Sequence, residues 1–493
     1  MRACGILMPV ASLPSKYGIG SFSKSAYAFV DTLALAGQKY WQILPLGSTG
    51  YGDSPYQSFS TYAGNSYFID LDALVDQGLL TVEECESYDF GCNERYIDYE
   101  KLYYSRFRIL KKAYKRSRIE EKGDYQIFVK KHSTWLPDYC LYMAVKNHFG
   151  GISWNEWDVD IRNRKPEAIE YYVKEFAEEI QFHGFLQYIF YNQWMALKAY
   201  ANSKGINIIG DIPIYVAFDS ADTWAHPELF RFNENNEPDA VAGCPPDGFS
   251  RTGQLWGNPL YDWEYHRATG YEWWCQRIAY SRTMYDLIRV DHFRGFDQYY
   301  AIPYGHKTAE SGRWLPGPGI EFFDKLKEHL GEVDIIAEDL GYQTPSVLKL
   351  LKDTGYPGMK VLEFAFDSRE ESDYLPHNYT ENYVVYTGTH DNQTLQGWFR
   401  ELSPEDREYA VEYLDIKEKD ISQIHWSFDR AVLASVAKLA VIPIQDYLGL
   451  GAEARINQPS TMGGNWTWRL QEGEFTKELA AKIRKLVKLY GRL

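Results

Sequence analysis

Eight short apolar, β-branched runs recur along the chain, most of them followed by a stretch of helical period: Ala3–Met8, Tyr40–Leu46, Ile206–Ile214, Leu287–Asp291, Val333–Glu338, Met359–Phe364, Tyr383–Tyr386 and Leu439–Ile444. Eight such runs in one chain predict a closed (β/α)₈ TIM barrel. A doubly wound open sheet is the main alternative. It is weakened because no Gly-x-Gly-x-x-Gly follows the first run. Ser21 or Ser23 caps a predicted helix that runs through Ala36 and stops at Gly37. Residues 168–203 read as one helix or two, ending at Gly205. Leu479, Ile483, Leu486 and Val487 give residues 475–490 a helical apolar face, with lysines placed late where the helix dipole favours them.

The spacing between runs is uneven. Residues 47–205 separate the second run from the third, and residues 215–285 separate the third from the fourth. One helix needs far less chain, so both segments are expected to be subdomains, the first mainly helical, inserted into a single barrel domain spanning 1–493. Both follow a strand's C-terminal end, the face on which barrel enzymes build their sites.

That face is where the polar residues gather. Successive side chains on a strand alternate between faces, so Leu287, Arg289 and Asp291 share one face while Ile288 and Val290 take the other. A strand that buries a cation beside an anion does so because neither is tolerated unpaired. Four runs end at carboxylates: Asp211, Asp291, Glu338 and Asp391. On parallel barrel strands these four converge at one mouth, and their repulsion must drive some pKa values up and others down. Arg289 is expected to keep Asp291 ionised. The apolar Ile335, Ile336 and Ala337 before Glu338 favour its protonated form. An ionised carboxylate facing a protonated one, about 5–5.5 Å apart, suits retaining glycoside chemistry. Asp291 then attacks the anomeric carbon, Glu338 serves as acid and base, and Asp391 partners ring hydroxyls. Plainer roles stay open: a structural Arg289–Asp291 ion pair, a turn at Glu338-Asp339, a cap or turn at Asp391-Asn392, and rim positions for His292 and His390.

Composition adds limits rather than a function. The formal net charge is −16 and there is no long Lys/Arg run, which argues against nucleic acid or an anionic membrane as the main partner. No segment approaches 18 unbroken apolar residues and no signal-peptide pattern opens the chain, so a cytoplasmic protein is expected. The six cysteines are scattered without a Cys-x-x-Cys pair. Metal-ligand spacings, a Walker sequence and Gly-x-Ser-x-Gly are all absent, so neither metal nor cofactor is expected. Fifteen tryptophans and 40 tyrosines leave room for sugar-stacking platforms as well as packing.

Several further stretches carry a family resemblance: Leu13-Pro-Ser-Lys-Tyr-Gly-Ile-Gly20, Trp41-Gln-Ile-Leu-Pro-Leu46, Asp53-Ser-Pro-Tyr-Gln-Ser58, Gly210-Asp-Ile-Pro-Ile214, Val241-Ala-Gly-Cys-Pro-Pro-Asp247, Gln254-Leu-Trp-Gly-Asn-Pro259 and Gly464-Asn-Trp-Thr-Trp468. With the three acid-bearing stretches, they make the chain resemble the 4-α-glucanotransferases of the amylomaltase type, glycoside hydrolase family 77, nearly end to end. Cys244 stands where that family often has valine. The resemblance implies a (β/α)₈ barrel whose insertions wall a glucan groove. It implies Asp291 as nucleophile, Glu338 as acid/base and Asp391 as transition-state stabiliser. Arg289 and His390 would hold the sugar at the cleavage point, with Asp211 and His292 nearby. Tyr56, Tyr99 and Asn465 match positions that touch glucan, and Asp247 and Trp256 lie in a loop over the acceptor side. Malto-oligosaccharides, starch- or glycogen-derived glucans and a glucose acceptor are the implied partners, handled by a monomer or homodimer. An α-1,4-glucan hydrolase on the same barrel, a branching enzyme and a non-catalytic glycan-binding barrel are the rival expectations.

Overall fold

A computed structural model describes residues 2–50, 52–246, 250–341, 343–461 and 463–493, with 418–420 described by backbone only. Among the described residues there are twelve strands: β1 (Ala3–Leu7), β2 (Tyr40–Gln42), β3 (Asn207–Pro213), β4 (Ala240–Cys244), β5 (Gln254–Pro259), β6 (Leu287–Asp291), β7 (Gln298–Pro303), β8 (Arg313–Pro316), β9 (Ile335–Ala337), β10 (Gly358–Val361), β11 (Tyr383–Tyr386) and β12 (Leu439–Pro443). Eight form one parallel sheet in the order β10-β11-β12-β1-β2-β3-β6-β9. The two end strands meet. The Ala337 N–H donates to the Pro357 carbonyl at 2.9 Å, and the Met359 N–H donates to Asp339 Oδ1 at 2.7 Å. The fold is therefore the (β/α)₈ barrel expected, with all eight expected runs as its strands.

The alternation of side chains sorts the core into two parts. Leu7, Ile209, Ile336, Met359, Val361, Val384, Tyr386, Leu439 and Val441 pack inside the barrel. Their neighbours Ile6, Ile208, Ile288, Val290, Ile335, Ala337, Val385, Ala440 and Ile442 pack outward against the helices. The inward series continues up β3 and β6 as Asp211, Arg289 and Asp291. The same period that builds the apolar plug therefore delivers the charges to its top.

The helix expectations also meet their elements. Lys24–Leu35 follows Ser23 as N-cap, and Gly37 takes φ 75° just past its end. Pro166–Glu175 and Ala177–Ser203 are two helices broken at Phe176. Lys477–Leu489 buries Ala480, Ile483, Leu486 and Val487. Two strand readings need correction. The second run stops as a strand at Gln42, since Pro45 cannot donate to a ladder. The third run, Ile206–Ile214, is a strand as far as Pro213, so Asp211 lies inside β3 rather than at its end, opposite Arg289 in the register.

β4, β5, β7 and β8 make a second, antiparallel sheet, β5-β4-β7-β8, drawn from the segments on either side of β6. The sequence reading did not anticipate it. Its strands carry Gly243, Gly257 and terminal prolines, and β8 is mostly exposed. No helix among the described residues is long and apolar enough to cross a membrane.

Candidate active site

Four barrel strands and the loops that follow them bring together the charged residues singled out in the sequence. Asp211 and Arg289 face each other across β3 and β6, and one guanidinium nitrogen donates to both Asp211 oxygens at 2.7 and 2.6 Å. The same nitrogen lies 3.2 Å from Asp291, and the guanidinium's other end is 4.0 Å from Glu338. One cation thus spans both proposed reactive carboxylates. Exposure separates the acids. The Asp211 side chain is 0% exposed, while Asp291, Glu338 and Asp391 keep 28%, 16% and 45% and so can meet a ligand.

Backbone geometry places Glu338. His292, directly after Asp291, takes the left-handed φ of 54°, a conformation that costs a non-glycine residue about 1 kcal/mol or more. This turn aims the His292 N–H at Glu338, whose carboxylate accepts it, while the Phe293 N–H donates to the Glu338 carbonyl at 3.0 Å. On the other flank, Asp339 seals the β9–β10 seam through Met359 and accepts from Gln343. Asp339 thus has an anchoring role that its place in a turn did not reveal.

Arg289 favours the ionised form of Asp291, as expected, but burial outweighs it, and the cross-strand register commits the guanidinium first to Asp211. Burial pushes both the Asp291 and the Glu338 carboxyls above the usual range, and Arg289 pulls each back. Two raised acids side by side retain one proton near neutrality. Arg289 approaches Asp291 more closely than Glu338 and so favours charge on Asp291, while the His292 N–H favours charge on Glu338.

Asp391 is tuned the opposite way. Burial alone would raise it, but His390, with Nε2 at 3.3 Å, the Asn457 side chain, donating at 2.6 Å, and Arg289 together hold it at about 2. Arg455 grips the Asp391 carbonyl at 2.8 Å. Burial works against a charged His390, yet Asp391 overcomes it and raises the imidazole. His390 stacks on Tyr56, with centroids 5.0 Å apart at 18°, and its Nδ1 lies 3.4 Å from the Tyr56 hydroxyl. That hydroxyl donates to Asp211 Oδ2 at 2.8 Å. A continuous polar chain therefore runs Asp391–His390–Tyr56–Asp211–Arg289 and ends at Asp291 and Glu338. His390→Gln should remove the main positive partner of Asp391 and let burial act. Asp391 would then lose its charge at a higher pH as acid is added, a shift read directly from an NMR titration of its side-chain carboxyl. An unmoved Asp391 titration would contradict this coupling.

The aromatic and loop positions divide. Trp256, on β5, meets His292 edge to face at 4.8 Å. Burial, with a smaller contribution from Arg294, lowers His292 to about 4, so it is neutral at working pH. Tyr99 lies behind Trp466 and donates its hydroxyl to the Trp466 carbonyl at 2.9 Å. The two line a small pocket with Asp53, Leu44 and Ile456. Asn465 is half-buried and spends its amide inside its own loop, accepting from Gln458 and donating to Thr461. Asp247 lies outside the described residues. Sequence reasoning passed over Asn457, Arg455 and Trp466. The Trp466 ring stands 5.9 Å from both Tyr56 and His390. Only Trp466 had a signal, its place inside Gly464-Asn-Trp-Thr-Trp468.

A parallel barrel with acids at its mouth, tuned apart and bridged by a buried arginine, defines a carbohydrate-active enzyme that works on glycosidic bonds. Comparison with known proteins narrows the class. The family model described as 4-alpha-glucanotransferase, glycoside hydrolase family 77, matches residues 8–476. A 4-alpha-glucanotransferase of Clostridium butyricum is 51% identical over 98% of this chain and 100% of its own. One from Streptococcus pneumoniae is 49% identical over 100% and 98%. The structure of an amylomaltase from Streptococcus agalactiae in complex with acarbose superposes with a TM-score of 0.97 at 43% identity, covering all of both chains. The chain belongs to glycoside hydrolase family 77, the 4-α-glucanotransferases.

Proposed function

We propose that the mouth cluster carries out this family's transfer as a retaining double displacement on α-1,4-linked glucans, with malto-oligosaccharides as donors and glucan or glucose as acceptors. Asp291 attacks the anomeric carbon while Glu338 protonates the departing 4-oxygen, giving a β-linked glycosyl-enzyme. Glu338, now ionised, takes the proton from an incoming 4-hydroxyl, which attacks and restores the α-linkage. Asp391, held ionised, stabilises the positive charge that develops on the sugar, Arg289 favours the charged form of Asp291, and Arg289 and His390 with Tyr56 seat the sugar. The observation that carries the assignment is the single Arg289 guanidinium spanning Asp291 and Glu338, both of which stay open to the cleft.

Transfer exchanges one glycosidic bond for an equivalent one, whereas hydrolysis runs downhill. The acceptor must therefore win kinetically, by proximity and by exclusion of water. We assign the groove's walls to residues 47–205 and 215–285, and the acceptor side to Trp256 and the neutral His292. Trp256→Ala should raise reducing-end release per transfer event roughly threefold to tenfold, measured on maltotriose. A ratio unchanged from wild type would remove Trp256 from the acceptor side. The buried thiols of Cys4, Cys85, Cys140 and Cys275 fit a reducing compartment, which supports a cytoplasmic enzyme.

Incubation with maltotriose tests the function. Transfer yields glucose and longer chains at a constant number of reducing ends. A rising number would mark a hydrolase, new α-1,6 links a branching enzyme, and unchanged substrate a binding protein.

A further inference from the structure

Glu363 is a buried acid with no part in the chemistry above. It stands in the one-turn helix Leu362–Phe364 just after β10 and is 7% exposed. Its Oε1 has no hydrogen-bond partner among the described residues. A buried carboxylate left in that state is costly. Burial, reinforced by Asp446 and opposed by the Asn392 side chain, pushes the Glu363 carboxyl well above its usual range, so the side chain is a neutral acid at working pH.

Its nearest neighbours include the loop after β11. The Asn392 side chain stands close enough to favour the charged form of the Glu363 carboxyl, and the Glu363 backbone N–H donates to the Thr387 carbonyl at 3.2 Å. Gly388 packs against it so closely that a Cβ there would sit 3.0 Å from Oε1. The other end of the Asn392 amide accepts from the Thr389 N–H and hydroxyl, both at 2.9 Å. The Thr389 hydroxyl in turn accepts the Asp391 N–H at 3.3 Å. His390 and Asp391 thus occupy the middle of a turn whose two legs are tied by Asn392, and Gly388, at the start of that turn, packs between Asn392 and Glu363. Asp446 pins the same segment further out, accepting from the Thr387 hydroxyl at 2.6 Å and the Leu395 N–H at 2.9 Å.

We propose that Glu363 is a positioning residue for the transfer reaction: through Asn392 and Gly388 it fixes where His390 and Asp391 stand at the cleavage point. This rests on the roles proposed above for His390 and Asp391. A neutral acid in this place needs shape and hydrogen bonding rather than charge, so an amide should replace it and a hydrocarbon of similar size should not. Misplacing a catalytic group by about 1 Å costs on the order of 100-fold in rate.

The test is steady-state kinetics on the full chain with maltotriose, alongside thermal unfolding. Glu363→Gln should keep kcat within about threefold of wild type. Glu363→Leu and Asn392→Ala should each lower kcat by about 30-fold with KM within about threefold. The double variant should be no slower than the slower single, because both act along one path. Wild-type kcat in Glu363→Leu, an equal fall in Glu363→Gln, or multiplying losses in the double variant would each overturn the proposal. Should Glu363→Leu fail to fold, the pair Glu363→Gln and Asn392→Ala decides: a wild-type kcat in the second, or a large loss in the first, overturns it. Asp391→Asn is measured in parallel. If that variant turns over normally, the reading of Asp391 fails and this proposal falls with it. If it is inactive while Glu363→Leu is normal, only the role of Glu363 is lost.

Discussion

Asp291→Asn is expected to lower kcat on malto-oligosaccharides by at least about 10⁴-fold, the scale seen when a covalent nucleophile is removed. An amide has the carboxylate's shape but cannot form the ester to the anomeric carbon. The rest of the sugar site survives the change, since Arg289 remains paired with Asp211 and Tyr56 remains stacked on His390. Glucan affinity should therefore stay within about threefold, a split that marks an interaction made only along the reaction path. Turnover and calorimetric binding to maltoheptaose measure the two sides. A variant working at a tenth of the wild-type rate would remove Asp291 from the nucleophile's place.

Glu338→Gln should lower kcat on the same donors by about 10³-fold, within the range for a lost general acid and base. The discriminating result lies in the donor. Fluoride leaves without protonation, so an α-glucosyl fluoride should form the glycosyl-enzyme at a rate much closer to wild type. The second step should then stall unless azide, which needs no deprotonation, accepts the sugar. The pH profile gives an independent reading. Burial raises Glu338, so its acid form persists to higher pH than that of an ordinary glutamate and is lost as pH climbs through that raised value. The alkaline limb should accordingly vanish in Glu338→Gln with the fluoride donor. Equal losses on natural and fluoride donors would show that Glu338 does not protonate the leaving group.

Much of the architecture was written in local chemistry. Buried parallel strands need apolar residues on both faces, so β6 and β11 can be read from the sequence to their last residue, and Asp291 closes one of them. The acids were legible because a carboxylate at the end of such a run has few other reasons to be there. What could not be read depends on register and on distant chain. The pairing of Arg289 with Asp211 is a fact about β3 lying beside β6, which no single strand announces. The antiparallel sheet joins segments on both sides of β6, and its short strands are broken by glycine and proline. Asn457 reaches Asp391 from 66 positions away in the sequence, and nothing near it marks the contact. Asn465 shows the converse: its motif pointed to a sugar contact and gave no hint that its amide also bonds Gln458 and Thr461 within its own loop. Glu363 follows an ordinary strand, and only the packing of Gly388 against it shows what it supports.

Capture of the covalent intermediate tests the central assignment most directly. The enzyme, slowed by Glu338→Gln, is treated with a 5-fluoro-α-glucosyl fluoride, digested, and the labelled peptide sequenced by mass spectrometry. One glucosyl unit should be found esterified to Asp291, at the end of Leu287–Asp291. A label on Asp391, on Glu363 or on any other side chain, or none in an enzyme that still transfers glucan, would contradict the account.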